Sequence, residues 1–175
     1  VDMGTTDEQV MTNVNTLPRY TDGKGVQVMA ILTNAGLGGQ QFFFTYTNSD
    51  GVPGRISQTV TMNTSTVVGN VIGSNTAIQN ASNPFIGLQL GDSGVRSIEG
   101  ITMLGVDTGL FALVLVKPLA QHCFREVTVP YEKDYLVPTT DLVRIYDDAF
   151  LGMICLPLGT LAATVLRGDL KVIWT

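Results

Sequence analysis

The residues most suggestive of chemistry are Gly91-Asp92-Ser93-Gly94, a tetrapeptide of the kind that surrounds a serine nucleophile. A nucleophilic Ser needs a general base within hydrogen-bond reach and an acid that orients the base. The single His of the chain, His122, follows Ser93, whereas the chymotrypsin-like order places His before Ser. An Asp-x-x-His arrangement fails as well, because Leu119 stands three residues before His122. Without a base in either expected place, Gly91 to Gly94 reads as a turn between strands. No catalytic residue is assigned, and the chain is not expected to be an enzyme.

Other short motifs have equally plain readings. Arg167-Gly168-Asp169 lies between two apolar segments, Leu161 to Leu166 and Leu170 to Trp174, where a Gly-Asp pair suits a tight hairpin. Gly36-Leu37-Gly38-Gly39 is rich enough in glycine to cradle a phosphate, but a strand-like Phe42-Phe43-Phe44 follows where a helix is needed. His122 beside Cys123 offers too few ligands for structural zinc, since the chain has one His and two Cys. Asp147-Asp148 and Glu132 with Asp134 lack the spacing of a calcium loop. No cofactor and no metal are expected. Cys123 and Cys155 sit in apolar runs and are expected to stay unpaired.

The elements around these motifs must come from a chain of 175 residues, a length that suits one domain with one core. Apolar residues make up 45% of it and charged residues only 14%, well below the roughly 25% of ordinary soluble domains. Thr, Asn, Ser and Gly must therefore cover much of the surface. The net charge of −5 and the lack of any basic run argue against nucleic acid. No apolar run approaches the ~20 residues of a membrane-spanning helix. The chain opens at Val1, without a Met or a signal-peptide pattern, as a trimmed or processed product would.

Residues 1–20 are expected to form a short helix or an arm. Thr5 with Glu8, or Thr6 with Gln9, fits a capping box; Val10, Met11, Val14 and Leu17 share a helical face, and Pro18 ends it. Residues 21–175 read as a single domain of about eight to ten strands at spacings of roughly 8–15 residues. Val26 to Thr33, Gln40 to Asn48, Arg55 to Met62, Val95 to Leu104 and Leu110 to Val116 are the clearest strands. Phe124 to Val129, Asp141 to Tyr146, Ala149 to Leu156, Leu161 to Leu166 and Leu170 to Trp174 complete the set. Ser49-Asp50-Gly51 predicts a hairpin between the second and third strands. Leu110 to Val116 is apolar on both faces, as in a central strand. The expected class is all-β, an antiparallel β-sandwich of jelly-roll type.

One interval stands out. No charged residue occurs between Arg55 and Asp92. Charge depletion marks interface cores, so Val67, Val68, Val71, Ile72 and Ile78 within it are expected at an oligomer or shell interface.

The run Phe44-Thr45-Tyr46-Thr47-Asn48-Ser49-Asp50-Gly51-Val52-Pro53-Gly54-Arg55 resembles segments of tailed-bacteriophage structural proteins, with a Tyr-Thr-Asn-x-x-Gly-Val-x-Gly-Arg hairpin before a Thr-rich strand. Within that class the acidic, Gly-, Asn- and Thr-rich texture is similar to capsid cement or decoration proteins. The resemblance implies a capsid-surface location in the virion, a homo-oligomer of trimeric form, and the major capsid protein or other virion proteins as partners, without nucleic acid or membrane. It brings no catalytic residue. Two alternatives remain open. One is a receptor- or glycan-binding module of a head or tail fibre, for which Tyr131-Glu132-Lys133-Asp134-Tyr135 offers the one suitable stretch. The other is a neck protein joining head to tail.

Overall fold

The computed structural model describes residues 1–11, 17–63, 67–72, 84–121, 130–132 and 144–154. Among them the chain is all-β. Its strands are β1 (Gln9–Val10), β2 (Gln27–Asn34), β3 (Gln41–Asn48), β4 (Arg55–Ile56), β5 (Val60–Thr61), β6 (Val71–Ile72), β7 (Val95–Met103) and β8 (Leu110–Val116). They form two antiparallel sheets. One runs β1-β7-β3-β4, with β5 also on β3; the other runs β6-β2-β8. One apolar cluster joins the sheets, with Val28, Ala30, Leu32, Ile72 and Phe111 from the second facing Phe42, Phe44, Ile101 and Met103 from the first. The rings of Phe42 and Phe111 lie 4.7 Å apart across it. This arrangement is consistent with a β-sandwich.

The predicted hairpin is present. β3 pairs antiparallel with β4 through Tyr46↔Arg55 and with β5 through Phe42↔Val60. Phe42, Phe44, Tyr46 and Asn48 alternate inward while Phe43, Thr45 and Thr47 stay half-buried. Gly51 takes a φ of +80° in the turn, a conformation that favours glycine. Arg55 to Met62 is one extended segment in sequence but only two short pieces of ladder. Between them Ser57 turns inward, and its hydroxyl accepts the Phe44 amide at 3.0 Å.

Alternation fails in β7, where Val95, Ile98 and Ile101 are all buried. Two register shifts against β3, between Thr45 and Tyr46 and between Thr47 and Asn48, leave Glu99 and Arg96 without partners in the ladder. These are β-bulges, which re-aim side chains. Glu99 uses its freedom well. Its carbonyl accepts the Met11 amide at 2.8 Å. Its carboxylate accepts the Thr47 hydroxyl at 2.7 Å and the Gly54 amide at 3.1 Å.

Several expectations are corrected. The N-terminal helix is not formed among the described residues: Gln9 and Val10 pair with Ile101 and Gly100 as β1. Thr5 does not cap a helix, because its hydroxyl accepts the Asp7 amide at 3.1 Å in a local turn. An open β7 edge offers ladder bonds that a short isolated helix cannot match. Val14 lies outside the described residues. Met3 is 1% exposed, and its amide and carbonyl bond Gly109 and Asp107, so the first residues are woven into the domain. Among the described residues β8 pairs with β2 along its length, and its first residues, Leu110 and Phe111, also bridge Asp2 and Val1. Ile72, expected at an interface, is 3% exposed and belongs to the core, because pairing of β6 with β2 turns it inward. Residues 144–154 form no strand; the Ala149 amide closes a turn on the Tyr146 carbonyl. The strands expected over 124–129, 161–166 and 170–174 lie outside the described residues.

Burial of Met3 gives a direct check on the N-terminal assignment. Met3→Ala is expected to lower stability to urea by about 2–4 kcal/mol, as core truncations do. A loose arm would lose less than about 0.5 kcal/mol at the same position.

Candidate functional site

The tetrapeptide Gly91 to Gly94 is a turn, and its Asp92 is the hub of an internal network. The Asp92 side chain is 4% exposed. One carboxylate oxygen accepts the Tyr46 hydroxyl at 2.5 Å and Arg55 Nε at 3.0 Å. The other accepts Asn48 Nδ2 at 2.8 Å and Arg55 Nη2 at 3.1 Å. The Arg55 contact is thus the bidentate fork that guanidinium geometry favours. The Tyr46 oxygen accepts in turn the Gln89 amide at 2.9 Å. Every member of the network is satisfied, as a buried polar cluster must be to hold its place.

Local structure explains how these groups meet. Tyr46 and Asn48 point inward from β3 by strand alternation, and Arg55 enters at the start of β4 opposite Tyr46. Residues 86–92 then run from one sheet to the other. The Ile86 amide bonds Val28 of β2, while the Gln58 amide bonds the Gly87 carbonyl. Gly94 must lack a side chain, since an added Cβ would stand 2.0 Å from the Gly23 carbonyl oxygen. Arg55 and Asp92 are the two charged residues that bracket the uncharged interval, and they pair with each other. The pair thus ties the two ends of that interval together.

Charge state follows from the geometry. Burial by itself raises the Asp92 pKa, but hydrogen bonds from Arg55, Tyr46 and Asn48 outweigh it and bring it down to about 2. Burial and then the bond to Asp92 push Tyr46 up to about 12. Ser93, the nucleophile that the motif suggests, has its hydroxyl 3.0 Å from that of Ser49. His122 lies outside the described residues.

The glycine-rich loop lies at the opposite end of the sheets and is occupied from within. The Asp107 carboxylate accepts the amides of Leu37 at 3.0 Å, Gly38 at 2.7 Å and Thr108 at 2.6 Å. Burial raises its pKa, but these three amides lower it by more. Leu37 itself is 72% exposed. Leu104 and Val106, just before Asp107, are also exposed. The turn from Val67 to Asn70 follows beside them: the Gly69 amide bonds the Leu32 carbonyl, and Leu32, Gly36, Gly38 and Asp107 line one small cavity. Val67 and Val68, expected at an interface, are exposed there, and Val71 is half-buried in β6. Ile78 lies outside the described residues.

Among the described residues the remaining motifs form no site of their own. Asp148 pairs with Arg19 at 2.8 Å, and the Tyr20 hydroxyl donates to the Arg144 carbonyl. Tyr131 and Glu132 are exposed, while Lys133, Asp134, Tyr135, Cys123, Cys155 and residues 167–169 lie outside the described residues. Sequence reasoning missed the Asp92 network, whose one legible sign was the pair of charges bracketing the uncharged interval. Comparison with protein-family models, curated proteins and solved structures finds no match.

The depressed Asp92 pKa carries a sign. Asp92 binds its proton more readily in the unfolded chain, near the ordinary 3.8, than in the folded one, near 2. Its contribution is complete above the unfolded value and is lost as pH falls through that window. Asp92→Asn should therefore be less stable at neutral pH and flatten the acid limb of the stability curve. Tyr46→Phe should cost about 1–3 kcal/mol at neutral pH by chemical denaturation, since it strands the Gln89 amide.

Proposed function

We propose that the chain is a structural protein of a tailed-bacteriophage virion, a jelly-roll-type β-sandwich that decorates the capsid and stabilises it through oligomeric surface contacts. The observation that carries this reading is the combination of a charge-poor chain with large apolar side chains left open on ordered loops. Leu37, Val67, Val68, Leu104 and Val106 are each more than half exposed. Monomeric proteins seldom leave such side chains grouped and uncovered. On a shell, many weak contacts per copy are multiplied by symmetry, and bound copies stabilise the assembled state by mass action.

The hairpin that carries the resemblance supports the reading in a specific way. Tyr46, Asn48 and Arg55, all within that run, are the residues that grip Asp92. The shared pattern is thus a device for bracing a hairpin, as suits a class defined by architecture rather than by a ligand.

The test is the abundance of the chain in particles purified by density gradient from a producing culture. Quantitative mass spectrometry should find on the order of hundreds of copies per particle, the number that shell symmetry provides. About a dozen copies or fewer would point to a neck or fibre instead. A chain left entirely at the top of the gradient would refute the reading.

A further inference from the structure

The exposed apolar residues are not scattered evenly. Loops 35–40 and 104–109 are joined through Asp107, loop 67–70 is held on Leu32 near the end of β2, and together they contain a single charged residue, Asp107. Its carboxylate is taken up by three backbone amides. Leu37, Val67, Val68, Leu104 and Val106 project from this end with exposures of 72%, 61%, 58%, 54% and 59%. Among the described first residues Asp2, Asp7 and Glu8 are exposed charges, and the pairing of Gln9 with Ile101 sets them along the β1 rim of this end.

These side chains are presented by fixed backbone. The Leu37 amide is pinned on Asp107. The Leu104 amide bonds the Gln41 carbonyl at 2.7 Å, and the Asp107 amide bonds the Met3 carbonyl at 2.8 Å. The Gly69 amide bonds the Leu32 carbonyl at 2.8 Å, and the Asn70 amide bonds that of Val67 at 3.2 Å. A rigid loop holding an uncovered Leu has already met the ordering cost that binding usually incurs.

We infer that this end is where copies of the chain meet one another around a rotation axis. The inference rests on the assembly reading above and names the surface and its occupant. Charge selects the occupant. Around a rotation axis each side chain meets its own copy or a near neighbour, so a carboxylate there would face a carboxylate. Copies carrying a net charge of −5 repel one another over most orientations. The three loops, whose single carboxylate is internally satisfied and whose projecting groups are Leu and Val, meet their own copy without that penalty, while the exposed carboxylates of the first residues stand to the β1 side. Area agrees. The five side chains offer on the order of 500 Å² of apolar surface, about what the apolar part of an interface of ~800 Å² per partner requires.

The experiment is sedimentation velocity on the full purified chain over a concentration series up to high micromolar. Variants Leu37→Asp and Val106→Asp place one new carboxylate per copy at the contact, and Leu37→Ser with Val106→Ser removes apolar area without adding charge. Leu90→Asp is the control, because Leu90 is 98% exposed at the opposite end. The wild type and Leu90→Asp should sediment as the same closed oligomer. Each Asp variant should weaken association by about 100-fold or more, and the double Ser variant by about tenfold, with circular-dichroism melting unchanged. A wild type that stays monomeric throughout the series, or variants that keep the oligomer mass, would overturn the inference. That outcome is distinct from failure of the assembly reading, since a monomer in isolation could still be counted in hundreds per particle, on the order set by shell symmetry.

Discussion

Arg55 and Asp92 hold one another through two hydrogen bonds, across 37 positions of sequence. The Asp92 carboxylate is almost wholly out of water, and Arg55 is 25% exposed. Breaking such a pair from one side leaves a buried charge with nothing to replace its partner, which is why an ion pair of this kind specifies geometry more than it adds net stability. Tyr46 and Asn48 fill the remaining acceptor positions of the carboxylate. The turn before β7 can therefore sit in one place only, against the β3–β4 hairpin. From there β7 enters its sheet with Val95 buried, and residues 86–89 are drawn across from one sheet to the other.

The two ends of the molecule solve opposite problems. At the Asp92 end the polar groups of the network lie inside and are satisfied by each other. At the Asp107 end the polar group is again internal, but it serves to fix loops whose apolar side chains remain outside. A carboxylate holding three amides at 2.6 to 3.0 Å is an anchor for the Leu37 loop. It occupies the amides that a phosphate would have used. The same chemistry that makes a glycine loop a candidate anion site here makes it a stiff platform.

Much of the fold was legible where local signals agreed with one another. Phe42, Phe44 and Tyr46 alternate, Asp50-Gly51 turns, and the strand boundaries of β2, β3, β7 and β8 fall within a residue or so of their sequence limits. The N-terminal segment was misread because Val10, Met11 and Leu17 fit a helical spacing, whereas the unpaired β7 edge that captures Gln9 and Val10 is invisible in sequence. Composition suggested an interface in the uncharged interval, and Val67 and Val68 lie exposed there, but composition cannot tell which members of an apolar run alternate inward. Ile72 does so because Ala30 is its ladder partner. The Asp92 network was out of reach because its parts are far apart in the chain and its motif suggests a nucleophile.

The Asp92 network is satisfied within the chain, and the contact surface proposed is the Asp107 end. Hydrogen exchange read by mass spectrometry, on the same protein at dilute and at high concentration, tests both halves at once. Amides of residues 46–55 and 89–95 should be protected equally at both concentrations, because their partners lie within the chain. Amides of 35–40, 67–70 and 104–109 should gain protection as concentration rises. Concentration-dependent protection at 46–55 and 89–95, with none at the Asp107 end, would contradict the account.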